Sequence, residues 1–337
     1  MPSSFAAETF RASRLYSYPP CCVQKEVNKS SMISVNAETD MMCCASCGIA
    51  EVDDIKLKRC TCKLVRYCSA KCQREHRSHH KRECKKRLAE LRDEILFKQP
   101  ESSHLGDCPI CCLPLPLSTV ARAMPCCSKL LCNGCTHANM LREREDMLEH
   151  SCPFCRHAVI HAVSMSDEKV KVDIMKRIEA NDPVAMCQMS LILYAEENYS
   201  VALKYLTEAA ELGNMEAHYQ LSLRYDDGKG VEKDKKKEIF HLEQAAIGGH
   251  HLARYMLGCE EFFNGKIERA KKHWIIAANL GLDDSIEALK QGYAVGHVSK
   301  EEFAAALRAH QAAVDATKSP QREAADAAVA AGEAIFL

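Results

Sequence analysis

The chain has 337 residues and a formal net charge of −1 at neutral pH. This length allows two or three domains, and a hydrophobic fraction of 47% with a charged fraction of 27% excludes a wholly disordered or fibrous protein. The near-zero charge excludes strong attraction of the whole molecule to nucleic acid or to an anionic membrane. No apolar run approaches the roughly 20 residues that a membrane-spanning helix needs, so we expect a soluble protein.

Cysteine is the unusual component of this composition. The chain has 21 cysteines, most of which stand in short clusters before Arg156. The start of the chain lacks the basic and then apolar order of a secretory signal, which disfavours a disulfide framework. The sequence therefore predicts reduced thiolates that hold metal, in a protein of the cell interior, either cytoplasmic or nuclear.

Residues 1–40 are predicted to be a disordered leader, because they mix serine, proline and isolated charges without periodicity. The segment Phe10-Arg11-Ala12-Ser13-Arg14 has some character of a transit peptide. Glu8 and Glu26 interrupt that character, so the disordered leader is the favoured interpretation.

The first cysteine cluster spans residues 43–84 and offers enough ligands for two tetrahedral zinc sites. Cys68 with Cys72, and His80 with Cys84, are pairs spaced by four residues, so that on a helix both members of a pair face one metal. His76 and His79 are alternatives to His80. The predicted ligands are Cys44, Cys47, Cys60, Cys62, Cys68, Cys72, His80 and Cys84.

The stretch from Arg66-Tyr67-Cys68 through Glu83-Cys84 resembles the MYND-type zinc finger over about 40 residues. The resemblance implies that the two sites are cross-braced and that the module binds short peptide motifs. On this basis the first zinc takes Cys44, Cys47, Cys68 and Cys72, and the second takes Cys60, Cys62, His80 and Cys84. Cys60-Thr61-Cys62 departs from the family pattern, because one residue instead of two separates its cysteines.

Residues 85–103 are predicted to be a helical linker that ends at Pro100. From Lys56 to Lys98 the chain has 15 lysines and arginines against 5 acidic residues. This local charge could attract acidic peptides or nucleic acid, but the favoured interpretation is a solvated face around thiolate sites. Few aromatic residues are available for base stacking, so nucleic acid is an unlikely partner.

The second cluster lies within residues 104–160 and contains, in order, Cys108-Pro-Ile-Cys111, Cys126-Cys127, Cys132-Asn-Gly-Cys135 and Cys152-Pro-Phe-Cys155. This ordered set resembles a RING finger. The resemblance implies one zinc on Cys108, Cys111, Cys132 and Cys135, and another on Cys127, Cys152 and Cys155. Lys129 stands where a RING finger usually has its histidine. Cys126 is the preferred fourth ligand of the second zinc, with His137 and then Cys112 as alternatives.

Three residues of this module match positions that RING ubiquitin ligases use on a ubiquitin-conjugating enzyme. They are Ile110, Pro153 and Arg156. The resemblance implies that the first two would dock the enzyme and that Arg156 would help to fix the ubiquitin thioester. The other interpretation is that Ile110 and Pro153 serve only their own turns.

Residues 167–297 contain an internal repeat. Ala185, Ala217, Ala253 and Ser285 begin equivalent helices at spacings of 32, 36 and 32 residues. Residues 217–249, with Gly228-Lys229-Gly230, resemble Sel-like repeats, which are relatives of tetratricopeptide repeats. The resemblance implies a superhelix that gathers partners on a concave face. Residues 298–337 are predicted to be a C-terminal helical tail.

Together these elements predict a mainly α fold: two small cross-braced zinc modules followed by an α-solenoid, with about four Zn²⁺ per chain. The predicted function is a zinc-binding adaptor whose modules and repeats each bind protein partners. The alternative is a RING-type ubiquitin-protein ligase in which the repeats select the substrate. Every predicted site is closed by cysteine and histidine, so the sequence indicates no catalytic residue.

Overall fold

The computed structural model describes residues 43–52, 54–117, 123–158 and 168–332. The predicted disordered leader lies outside these residues. The chain divides after His80 into two compact units.

The first unit is a small zinc module with little regular structure. Strand β1 (Lys58–Arg59) pairs antiparallel with β2 (Arg66–Tyr67), with Lys58 opposite Tyr67. Helix α1 (Ala70–Leu96) begins directly after this hairpin and crosses the division between the units. Leu57 and Tyr67 are among the few buried residues of this unit besides the cysteines. A core of this size does not hold a fold without metal.

The last turn of α1 packs within the second unit. Leu96 is 1% exposed and belongs to a core cluster with Leu242 and Leu257. Arg254 donates one hydrogen bond to the carbonyl of Leu96 and another to the carbonyl of Ala246 at 2.6 Å. These contacts fix the end of α1 against the helical repeats.

The second zinc module contains α2 (Asn133–Glu145) and three short bridges between residues that flank its turns. Its core combines Leu115, Met124 and Leu131 with the buried cysteines. The thiol of Cys132 caps α2 by accepting the N–H of Cys135 at 3.4 Å. One cysteine therefore both begins the helix and faces the predicted metal.

Eight helices follow one another over residues 168–294 and form the predicted solenoid. Consecutive helices pack as antiparallel pairs, with α4 on α5, α6 on α7 and α8 on α9. The helices are α3 (Glu168–Glu179), α4 (Pro183–Ala195), α5 (Tyr199–Glu211), α6 (Met215–Asp227), α7 (Lys235–Ile247), α8 (His251–Phe263), α9 (Ile267–Asn279) and α10 (Asp283–Ala294).

The repeat positions found in the sequence form the core of this solenoid. Ala185, Ala217, Ala253 and Ser285 are each 0% exposed. Their small side chains allow paired helices to approach closely. A Cβ on Gly258 would overlap the ring of Trp274, which shows how closely α8 approaches α9.

Two further helices complete the chain. Helix α11 (Lys300–Ala316) begins with a capping box between Ser299 and Glu302 and packs on α9 and α10. Helix α12 (Pro320–Ala330) contacts α2 of the second zinc module. None of the helices in the described ranges is long and apolar enough to cross a membrane.

Candidate zinc centres

Four cysteine pairs, one in the first zinc module and three in the second, lie on one kind of turn. Each turn starts at a residue whose carbonyl accepts the N–H four residues on, as Cys152 does from Arg156 at 2.9 Å. The residue that accommodates this turn has a positive φ, between 56° and 75° at Gly48, Cys112, Ser128 and Arg156. Each turn directs the thiols of its two cysteines towards a common centre.

The first module brings its predicted ligands together in two groups. Within each group the ligand atoms all lie within 4.8 Å of one another. One group is Cys44, Cys47, Cys68 and Cys72, and the other is Cys60, Cys62, His80 and Cys84.

The geometry of the first module bears on both questions that the sequence left about its second site. Cys60 lies in the group, because the shortened turn reaches its positive φ at Lys63, one residue after Cys62. His80 Nε2 lies 3.0 Å from Cys62 Sγ, and the histidine is 5% exposed. His76 points elsewhere, since its Nδ1 bonds the hydroxyl of Tyr67 at 3.1 Å.

The second module brings together its own two groups, again with ligand atoms within 4.8 Å. The first is Cys108, Cys111, Cys132 and Cys135, and the second is Cys126, Cys127, Cys152 and Cys155. Cys126 Sγ lies 3.4 Å from Cys155 Sγ, and Cys127 Sγ lies 3.8 Å from Cys152 Sγ. His137 and Cys112 are not members of either group.

The reason for the vicinal pair lies in the turn that carries it. The turn begins at Met124, whose carbonyl accepts the N–H of Ser128 at 2.7 Å. Met124 occupies the place that a first cysteine has in the other turns, and its side chain is buried in the core. Cys126 supplies the missing thiol from inside the turn, next to Cys127.

Hydrogen bonds in these sites favour negative charge on sulfur. A hydrogen bond from Cys132 lowers the pKa of Cys108, and one from Cys126 lowers the pKa of Cys152. The donating thiols have raised pKa values, because each bonds to the neighbouring thiolate. Sets of four cysteines, or of three cysteines and one histidine, match structural zinc, which would replace the remaining thiol protons.

A buried carboxylate holds the last turn of the second module in place. Glu143, on α2, accepts hydrogen bonds from the N–H and the hydroxyl of Ser151, at 3.0 and 2.8 Å. Its other oxygen lies 3.0 Å from Nδ1 of His150. Burial raises the pKa of Glu143, but these hydrogen bonds and one from Asn139 outweigh burial, so that the pKa is lowered. The ionised carboxylate of Glu143 thus holds Ser151 in place, and with it the adjacent Cys152.

The candidate contact residues for a conjugating enzyme lie at the surface of this module. Ile110 is 42% exposed. Pro153 is partly exposed and Arg156 is exposed. Arg156 Nη1 donates to Asn139 Oδ1 at 3.0 Å, which ties its guanidinium to α2.

Sequence reasoning missed a fifth group, formed by His104, His250 and His251, one nitrogen of each lying within 4.8 Å of the others. His104 stands at the beginning of the second module, whereas His250 caps α8 and His251 is its first residue. No spacing rule connects residues almost 150 positions apart, so the only available signal was the vicinal pair His250-His251.

Comparison with protein families identifies two kinds of module. Residues 44–84 match the MYND finger, and residues 183–214, 216–250 and 251–282 match the Sel1 repeat. The chain therefore carries a MYND finger and Sel1 repeats, and it binds zinc.

Solved structures with some similarity are also Sel1-like repeat proteins. A Sel1 repeat protein from Oxalobacter formigenes is 26% identical, with a TM-score of 0.39, over 50% of this chain and 49% of that one. A protective antigen of uropathogenic Escherichia coli with an SLR fold is 22% identical, with a TM-score of 0.36, over 52% of this chain and 37% of that one. The chain thus spans half or less of the length of these proteins. No curated protein matches it.

Proposed function

We propose that the protein is a zinc-dependent adaptor that holds one protein partner on its MYND finger and another on its Sel1 repeats. The observation that carries this proposal is the combination of the two modules in one chain. The four clusters of cysteine and histidine, assigned to zinc as grouped above, serve as structural centres. Each has four protein ligands, which leaves no position for an activated water.

Exposed apolar side chains on the first module support peptide binding. Ile49, Val52 and Leu64 are 45%, 55% and 41% exposed on a module with a very small core. Such side chains on a zinc finger fit the docking of a short peptide that has apolar residues of its own.

The test is selection of displayed peptides on the intact zinc-loaded chain. Peptides selected by the first module should lose at least tenfold in affinity when Val52 and Leu64 are replaced by serine. Ile95→Ser removes a comparably exposed side chain outside the MYND finger and serves as the control. Selected peptides that bind the Val52→Ser, Leu64→Ser variant as tightly as the parent, or the absence of any enriched peptide, would contradict peptide binding by this module.

A second candidate function is ubiquitin transfer, which the exposure of Ile110 and Arg156 favours. In this function the second module would recruit a conjugating enzyme and the repeats would select the substrate. The test is a reconstituted transfer assay with a panel of conjugating enzymes. Transfer that is lost in Ile110→Ala and in Arg156→Ala, and kept in the control Leu148→Ala, would support a ligase. If zinc-loaded, folded protein supports no transfer with any enzyme of the panel, the ligase function is contradicted and the adaptor function is retained.

A further inference from the structure

One histidine from the beginning of the second zinc module and two adjacent histidines at the start of α8 converge in a buried cluster. We call it the histidine cluster: His104, His250 and His251. The side chains of His104 and His250 are 7% and 1% exposed. The backbone N–H of His104 donates to the carbonyl of Gly249 at 3.1 Å. This hydrogen bond holds the beginning of the second zinc module, at His104, against the start of α8.

Two nitrogens of this cluster lack partners. Nδ1 of His104 and Nδ1 of His251 are buried and have no hydrogen-bond partner among the described residues. Buried polar atoms are nearly always bonded, so two such atoms in one cluster call for an explanation. An imidazole nitrogen that has a lone pair and accepts no hydrogen bond is able to bind a metal ion.

A carboxylate lies on the other side of two of the rings. Glu216 Oε2 lies 3.0 Å from Nε2 of His250 and 3.7 Å from Nε2 of His104. The contact at 3.0 Å keeps the proton of His250 on Nε2 and leaves its lone pair on Nδ1, whereas His104 at 3.7 Å lies beyond hydrogen-bond distance. Histidines that bind metal commonly use this arrangement, in which an acidic side chain orients the ring from its far nitrogen.

The tautomer of His250 agrees with this arrangement. Its Nδ1 accepts the N–H of Ala253 at 3.2 Å, which caps α8. The lone pair of His250 is therefore on Nδ1 as well. Binding of a metal by His250 would replace this cap.

We propose that His104, His250 and His251 form a fifth metal site, which binds zinc or a similar divalent transition metal through Nδ1 of each ring. Glu216 orients the ring of His250, and water completes the coordination. Imidazole nitrogens suit this class of metal. Because the site has no thiolate, it holds its ion more weakly than the four cysteine-rich centres. A bound ion would connect the beginning of the second zinc module, at His104, to the start of α8.

The distances between the rings are close to those of histidines on one ion, whereas the ring orientations are not. Zinc–nitrogen bonds of about 2.0–2.1 Å place the ring centres of two tetrahedral ligands roughly 5 Å apart. The three ring centroids are 4.1, 5.4 and 5.6 Å apart. The rings are nearly parallel, with interplanar angles from 4° to 26°. Binding therefore requires the rings to tilt so that their lone pairs meet.

Cobalt titration distinguishes this site from the cysteine-rich centres. The intact protein is first loaded with zinc and freed of weakly held metal with a mild chelator, and then Co²⁺ is added. We expect one further Co²⁺ per chain, with visible absorption but without the strong near-ultraviolet sulfur-to-cobalt band that thiolate ligands give. His104→Asn and His251→Gln should each weaken this binding at least tenfold.

His241→Asn is the matched control, because His241 lies in a histidine pair with His218, on α6 and α7, outside the cluster. Glu216→Gln should weaken binding by a smaller factor than loss of a ligand. If either ligand variant fails to keep its tightly bound zinc, the stoichiometry and spectrum of the intact protein decide. The proposal is overturned if the intact protein takes up no further Co²⁺ at millimolar concentration, or if both ligand variants bind it as the parent does.

Discussion

The guanidinium of Arg322, on the last described helix, donates a hydrogen bond to Sγ of Cys111 at 3.3 Å. It also donates to the carbonyls of Leu113 at 3.1 Å and Pro114 at 2.6 Å, in the turn that carries this cysteine. A positive charge beside the thiolates of the first zinc site in the second module stabilises them, with or without metal. The end of the chain is therefore part of the support of a zinc site more than 200 residues away.

Replacement of Arg322 tests this relationship. Arg322→Ala removes a buried charge and leaves the carbonyls of Leu113, Pro114 and Thr317 without its hydrogen bonds, so we expect a loss of about 2–3 kcal/mol in the stability of the second module. Zinc should also leave the second module faster when a chelating dye is added. Arg308→Ala, at an exposed position on α11, is the control. Equal rates of zinc release from parent and Arg322→Ala would show that α12 does not support the site.

A pair of serine variants tests the vicinal cysteines. Cys126→Ser should lower the content of tightly bound zinc by one ion, because it removes a ligand from the group with Cys127, Cys152 and Cys155. Cys112→Ser should leave the zinc content unchanged, since Cys112 is exposed and outside the groups. Elemental analysis of the two purified variants is the measurement. Loss of zinc from Cys112→Ser instead would show that the ligand assignment is wrong.

The pH dependence of stability should reflect His273. This side chain is 0% exposed, and its nitrogens have no hydrogen-bond partner among the described residues. Burial lowers the pKa of His273 to about 3, and the charges of Arg254 and Arg269 add to the effect. The ring also lies against Phe97, with centroids 4.7 Å apart. His273 thus stays neutral in the folded protein at pH values where the unfolded chain binds a proton.

The sign of the effect follows from this difference. The lowered pKa contributes stability that is fully present above the unfolded pKa of about 6.5 and is lost as the pH falls towards the folded pKa, by up to about 1.4 kcal/mol per pH unit. His273→Leu removes this dependence and also removes an unsatisfied polar group. Denaturant unfolding at pH 7.5 and pH 5 should show that the variant gains stability relative to the parent at the lower pH. An equal stability difference at both pH values would contradict the assignment.

Close approach of α8 and α9 should make Gly258 sensitive to substitution. Gly258→Ala places a methyl group against the indole of Trp274, so we expect a loss of about 1–3 kcal/mol. Trp274→Phe removes the Nε1 atom that the methyl group would meet. In thermal or denaturant unfolding, the double variant should lose less stability than the sum of the single variants. Strict additivity would show that the two residues are not coupled.

Local spacing made most of the fold and the sites predictable. His80 and Cys84 lie in one group because four residues is about one turn of α1, and Ala185 and Ala217 repeat because each unit is a helix pair. The roles of Cys60 and Cys126 stayed open in the sequence, since each depends on how one turn adjusts its backbone. Only the geometry at Lys63 and Met124 shows how those turns present their thiols.

Contacts between distant parts of the chain were not predictable in this way. The alanine-rich sequence of α12 indicates a helix, but nothing in it indicates that Arg322 lies on Cys111. Gly134 allows this contact, because a Cβ there would lie 2.8 Å from the backbone nitrogen of Arg322. The burial of Leu96 among the repeats and the convergence of His104 on α8 arise in the same way, from packing that leaves no periodic signal in the sequence.

We infer that this protein holds four closed zinc centres on fifteen cysteines and one histidine. Native mass spectrometry of the intact chain, after weakly held metal has been removed with a mild chelator, measures this directly. We expect a mass that corresponds to four zinc ions per chain. A main species with two or fewer zinc ions, in protein whose helices are shown to be folded by circular dichroism, would contradict it.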